Sequence, residues 1–213
     1  VDPRPAAPAV HDFAGPDLPL EFQWLSTPDR DRIFRVGGGL TLIGRESMGS
    51  WFEQALVARR QEHHVYAAET TLADFAPETY QQAAGLTTYY NRHKFHMVIV
   101  THEPGIDRCL RVVSCLGDYP DSSLSWSGDP VPLAEGPLEL RVEVDHAAQR
   151  FLWRQGGDWQ PIGGVLDASI ISDEGGRGEH ASFTGAFVGM FAMDTSGLAK
   201  EARFSRFGYW PGS

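Results

Sequence analysis

Apolar and polar residues alternate with a period of two along much of this chain. In LELRVEV, Leu138, Leu140, Val142 and Val144 fall on one side, and Glu139, Arg141 and Glu143 on the other. Side chains alternate across a strand, so this pattern predicts a half-buried antiparallel strand. EFQWL repeats it with Phe22 and Trp24, and LTLI with Leu40 and Leu42. FHMVIVTH sets Phe95, Met97 and Ile99 against His96, Val98 and Val100. Apolar residues on both sides predict a central strand there. RFSRFGYW puts Phe207 and Tyr209 on one face and, by parity, Phe204 and Trp210 on the other. Turn signals separate the runs. In RFLWRQGGDWQ, Gly156 and Gly157 supply positive φ for a tight hairpin. LADFAPETYQQ has room for one helical turn, limited by Pro77. No long 3.6-residue apolar stripe occurs. Many short strands between frequent turns predict an all-β fold: two packed antiparallel sheets forming a sandwich or jelly roll.

Length and composition narrow this further. The chain has 213 residues, 42% hydrophobic and 22% charged, which suits one domain with a sizeable core. The first stretch, VDPRPAAPAVHDFAGPDLP, is dense in proline. Proline supplies no amide donor and resists helices and central strands. Residues 1–19 are therefore expected to be a linker or N-terminal extension, with the sandwich spanning 20–213. The chain begins at Val1 without a signal-peptide pattern and reads as a piece of a larger protein. A formal charge of −10 repels phosphate backbones and anionic membranes, so neither nucleic acid nor membrane is expected as a partner. No apolar run is long enough to span a bilayer. Cys109 and Cys115 sit in RCLRVVSCL, a single predicted strand. Their Cα atoms would lie roughly 20 Å apart, too far for a bridge. Two free thiols are expected, which fits a reducing, cytoplasmic setting.

Chemistry-bearing residues form no obvious constellation. Zinc needs three or four converging ligands. His93 and His96 point to opposite faces of a strand, His63 and His64 are adjacent, and His102 precedes Glu103. All read as surface or hydrogen-bonded histidines. A glycosidase needs two carboxyl groups roughly 5 to 9.5 Å apart, and no pair among the acidic residues stands out. No nucleophile elbow, phosphate loop or CxxC pair is present. Trp51, Trp126, Trp153, Trp159 and Trp210 are candidates for stacking on a sugar ring, or for packing. Asp194, in DTSG, either caps a turn or joins Asp12 or Asp17 as an oxygen ligand for calcium. The polar, Gly-rich run 173–182 meets an apolar strand near Phe183 and reads as a long surface loop. Phe183 then stands at the sheet rim or plugs the core.

The runs EFQWLSTP, LTLIGRESMGSWFEQALVARRQ, ETYQQAAGLTTYYNRHKFH and FTGAFVGMFAMDTSG together resemble the C-terminal β-sandwich of family 43 β-xylosidases. The likeness covers about residues 13–209. It implies a concanavalin-A-like sandwich with no catalytic residues of its own and no required cofactor. Its partner would be a five-bladed β-propeller in the same parent chain. That parent would act on xylo-oligosaccharides or arabinosides, with the sandwich also supporting a homo-oligomer. It further implies that the loop ending at Phe183 reaches the propeller's pocket, with Arg177 and His180 beside it. Relatives tend to carry paired aromatics before TGAFVG, where this chain has Ser182 and Phe183. Gln81, Gln82, Tyr89, Tyr90 and Asn91 match a motif read as structural. Two other readings compete. A free-standing carbohydrate-binding module would bind sugar alone through an aromatic face. An independent enzyme would show two carboxylates facing each other across a cleft.

Overall fold

The computed structural model describes residues 7–25, 29–117, 121–175 and 185–212. It contains strands β1 (Ala9–His11), β2 (Phe22–Trp24), β3 (Phe34–Val36), β4 (Leu40–Ile43), β5 (Ala55–Arg60), β6 (Val65–Asp74), β7 (Gln82–Asn91) and β8 (Lys94–Glu103). These are followed by β9 (Asp107–Leu116), β10 (Leu124–Pro132), β11 (Leu138–Asp145), β12 (Ala148–Arg154), β13 (Gln160–Asp167), β14 (Phe187–Asp194) and β15 (Glu201–Pro211). Helix among the described residues is confined to single 3-10 turns at Arg30–Arg32 and Ala168–Ile170. The segment around Pro77 forms a turn and no helix. No helix among the described residues is long and apolar enough to cross a membrane.

The strands pair antiparallel in two sheets. The first runs β13-β12-β11-β6-β15-β4-β3, with β1 also on β15; the second runs β10-β9-β8-β7-β14-β5-β2. Their facing sides interdigitate in one apolar core, where Leu40, Leu42, Leu86, Val98, Leu138, Leu140, Val142, Phe151 and Met190 are fully buried. The alternation in β11 is realised as read: its leucines and valines point inward and its charges outward. Gly156 and Gly157 take φ of 74° and 68° in the β12–β13 hairpin.

The second sheet is buried on its outer side too. Phe95, Met97, Ile99, Val113, Tyr89 and Phe191 form a further apolar cluster with Met48. The segment between β4 and β5 closes over them. Gln54 donates to the carbonyls of Met48 (2.6 Å) and Ser50 (2.8 Å) and accepts from the Tyr89 hydroxyl (3.1 Å). This explains why β8 is apolar on both faces. Cys109 and Cys115 lie on β9, buried and unbridged. Burial pushes the Cys109 thiol up to about 11, so it stays protonated at neutral pH.

Two expectations change. Phe204 joins Phe207 and Tyr209 in the core, although parity assigns it to the other face. A register shift between Phe204 and Arg206 adds a residue to β15, and a bulge of this kind reverses the parity downstream. Trp210 points outward, near the Arg206 guanidinium. The proline-rich start is also not wholly outside the sandwich. β1 pairs Ala9 with Tyr209 and His11 with Phe207, continuing the edge of β15 that β4 leaves at Phe204. Phe13 is buried at 3% exposure, with φ of 55°, and its carbonyl accepts from the Gly39 amide.

Candidate functional site

Several features converge at the end of the sandwich carrying the β7–β8 turn. In the segment between β4 and β5, Trp51 and Phe52 are 70% and 72% exposed. The Trp51 ring meets His93 edge-on and lies under the Arg92 guanidinium. Adjacent large apolar residues this exposed mark a contact surface. On the other side of the same turn, Tyr90 donates to the Asp173 carboxylate and Lys94 to the Ser172 carbonyl (3.2 Å). These contacts hold the approach to segment 176–184. At the start of the next described stretch, the Gln61 amide donates to the Ala186 carbonyl at 2.9 Å.

Two cavities open beside these anchors. One of about 430 Å³ is lined by Trp24, Leu25, Arg60, Tyr89, Tyr90 and Phe187 among others. The other, about 460 Å³, is lined by His63, His64, His146, Tyr90, Asp173 and Glu174 among others. A larger one, about 610 Å³, lies over the outward charges of the first sheet.

On that charged face the glutamates are paired with arginines. Glu69 and Glu143 are both bound by Arg141, and Glu143 also by Arg150 at 2.7 Å. Burial would raise the Glu143 carboxyl, but hydrogen bonds from Arg150 and Arg141 outweigh it and hold it below its ordinary range. Every described carboxyl with a clear shift moves down: Glu53, Glu78, Glu143, Asp167 and Asp194. A general acid at neutral pH needs the opposite.

The Asp194 carboxylate caps the turn after β14. Its carboxylate accepts from the Ser196 amide (2.9 Å) and hydroxyl, the Lys200 amide (2.8 Å) and the Gln82 side chain (3.3 Å). Asp12 accepts from the Ala14 amide at 3.0 Å. Among the described residues no group of three or more His, Cys, Asp or Glu side chains is placed to hold a metal ion. Arg177, His180 and Phe183 lie outside the described residues. The motif residues are hydrogen-bonded parts of the sandwich, as read: besides Gln82, Tyr89 and Tyr90, the Gln81 carbonyl accepts from the Thr195 amide (3.0 Å) and Asn91 accepts from the His93 amide (2.9 Å). Three of the candidate stacking tryptophans each have a guanidinium over the ring. Trp126 stands over Arg111, Trp159 beside Arg154 and Trp210 near Arg206.

Sequence reasoning missed Lys94, which is 1% exposed. Its one signal was a cation at the mouth of a strand apolar on both faces.

His96 occupies the inner side of β8. Its Nε2 lies 2.9 Å from the Asp167 carbonyl and its Nδ1 2.6 Å from the Ser114 hydroxyl. A carbonyl only accepts, so Nε2 carries the proton and neutral Nδ1 accepts from Ser114. Burial lowers the His96 pKa below its ordinary value, partly offset by the Asp167 carbonyl. The unfolded chain then binds this proton first on acidification. The His96 contribution is therefore intact above about pH 6.5 and is lost as pH falls through the lower, folded pKa. Urea unfolding between pH 8 and 5 should show wild-type stability declining on the acid side, with a smaller decline for His96→Gln.

Comparison with known proteins follows the same lines. A family model described as the β-xylosidase C-terminal concanavalin A-like domain matches residues 10–210. Xylosidase/arabinosidase 43B of Humicola insolens is 48% identical over 203 residues, covering 91% of this chain and 37% of that protein. A β-xylosidase of Bacillus subtilis is 34% identical over 206 residues, covering 95% and 38%. The crystal structure of xylan β-1,4-xylosidase from Bacillus halodurans superposes with a TM-score of 0.88 at 30% identity, covering 99% of this chain and 40% of that one. The chain thus spans less than two-fifths of the length of these curated relatives.

Proposed function

The chain belongs to the C-terminal concanavalin A-like domain family of β-xylosidases, and from this we propose that it serves as the non-catalytic C-terminal domain of a family 43 glycosidase with β-xylosidase or α-L-arabinofuranosidase activity. In this reading it packs against a catalytic β-propeller of the same parent chain and lends segment 176–184 to the substrate pocket. Phe183 forms part of the pocket wall, flanked by Arg177 and His180. The substrates are short xylo-oligosaccharides or arabinosides, and neither a metal nor a cofactor is required of the sandwich.

The observation that carries this reading is coverage. The family match takes in nearly the whole chain, while the chain corresponds to only 37% of a xylosidase/arabinosidase. The exposed Trp51 and Phe52 beside the anchors of segment 176–184 give the propeller an apolar contact.

The isolated chain is expected not to hydrolyse an aryl xyloside. Turnover by the pure chain, abolished by replacing one of its own carboxylates, would overturn the reading. In the full-length enzyme, Phe183→Ala is expected to lower kcat/KM about tenfold, or about 1.4 kcal/mol, with little change in melting temperature. Calorimetry with xylo-oligosaccharides on the isolated chain separates this role from that of an autonomous sugar-binding module.

A further inference from the structure

Between Asp167 and Gly175 the chain leaves the first sheet and buries one large apolar side chain, Ile171. A run packed so lightly opens at lower cost than either sheet. Polar contacts with the second sheet hold it down. The Tyr90 hydroxyl on β7 donates to the Asp173 carboxylate. On β8, the Lys94 ammonium donates to the Ser172 carbonyl at 3.2 Å, and His96 Nε2 donates to the Asp167 carbonyl at 2.9 Å. Lys94 and His96 are each 1% exposed. Imidazole is the side chain that ordinarily changes charge between about pH 5 and 8. Facing His96 are Ser114 on β9, Thr88 opposite it on β7, and Lys94 two places along β8 on the same inward side. The charged group from the run is Asp167, whose carboxylate is tied to the Ser169 amide at 2.9 Å and hydroxyl at 2.6 Å. Beyond the run stand Glu62, His63, His64 and His146, around the cavity that Asp173 and Glu174 of the run also line.

A protonated His96 keeps both hydrogen bonds, because the Ser114 hydroxyl accepts as readily as it donates. What the charged ring lacks is water. Burial penalises the imidazolium by more than the Asp167 carbonyl returns. Lifting the run from Nε2 restores hydration and leaves both sheets in place. We propose that run 167–175 is an acid-released strap between the two sheets, with His96 as the group that senses pH. The open form takes up a proton at the ordinary imidazole value and the closed form only at lower pH, so acid favours opening. The strap belongs to the sandwich itself and does not rest on the pocket role proposed above.

Amide hydrogen exchange of the 213-residue chain tests this, read as protection factors so that the intrinsic pH dependence of exchange cancels. The amides of Ile171 and Gly175 donate within the run, to the Ala168 and Ser172 carbonyls. Between about pH 7.5 and 5.5 they should lose about tenfold in protection, the gain in opening expected for one proton taken up at about pH 6.5. Low urea should leave their exchange unchanged while speeding that of Val142 in β11, because lifting the run exposes little surface. His96→Gln keeps a donor for the Asp167 carbonyl and should flatten the pH response. His146→Gln should leave the response as in the wild type. Constant protection of Ile171 and Gly175 across this range in the wild-type chain overturns the proposal without any variant. A response that urea accelerates together with Val142 places the release in global unfolding, and the strap falls. A response that survives His96→Gln, or disappears in His146→Gln, belongs to the histidines across the cavity and overturns the assignment to His96.

Discussion

Replacing Phe13 by Ala is expected to destabilise the sandwich by about 3 to 5 kcal/mol, the usual cost of emptying a buried phenylalanine site. The ring is 3% exposed and stands edge-on to Phe22 with centroids 5.4 Å apart; Phe22 meets Phe207 in the same way at 5.4 Å. Phe13 thus ends a row of three aromatics joining the first residues of the chain to its last strand. The substitution keeps the unfavourable positive φ and removes the side chain that offsets it. Phe13→Gly should be no worse than Phe13→Ala despite removing one more carbon, because glycine accepts that φ freely. Urea unfolding of both variants checks this. A loss below about 0.5 kcal/mol in Phe13→Ala, the usual range for a surface change, would mean that residues 1–19 act as a detached linker after all.

The second large effect is expected at Asp194. Its carboxylate gathers donors from the turn after β14, from the start of β15 and from Gln82 on β7. Asp194→Ala strands two backbone amides and a buried side-chain amide, at about 1 to 3 kcal/mol for each unsatisfied group. A total of about 3 to 5 kcal/mol is expected once water reaches some of them. Burial alone would raise this carboxyl, but the bonds from Ser196, Lys200 and Gln82 outweigh it and lower its pKa from 3.8. A lowered folded pKa means the contribution is present above about pH 4 and is lost as pH falls through the folded value. Wild-type stability should therefore drop below pH 4 more steeply than that of Asp194→Asn. Calcium should leave the melting temperature of the wild-type chain unchanged if Asp194 is only a cap. A calcium-dependent rise abolished by Asp194→Asn would show that Asp194 is a calcium ligand as well.

These two residues also mark how far the sequence can be read. Strand β11 was legible because one of its faces meets solvent, so burial writes itself as alternation. Strand β8 was legible as central, but its apolar outer face did not disclose that the segment holding Met48 and Gln54 covers it. Parity failed at Phe204 because one extra residue in β15 leaves no mark in residue type. The proline-rich start hid β1, since a three-residue strand on an already formed edge needs few amide donors. At the candidate site, Arg177, His180 and Phe183 came from resemblance and not from periodicity. Trp51 and Phe52 were visible as large apolar residues, yet composition cannot separate a core ring from an exposed one. The clamp around Lys94 joins residues about eighty positions apart in sequence, a long-range pairing that no local pattern encodes.

The junction of β1 with β15 also sets how the molecule meets a load. Ala9 lies opposite Tyr209, so the two terminal strands present their outer ends side by side. Tension applied through the first and last residues pulls across this pair, at right angles to the strands. The ladder bonds then bear the load one after another, as in a peeling seam, and not all together as when strands slide lengthwise. Drawn from its ends, the sandwich should give way first at β1, releasing Phe13 from its aromatic row before either sheet is torn.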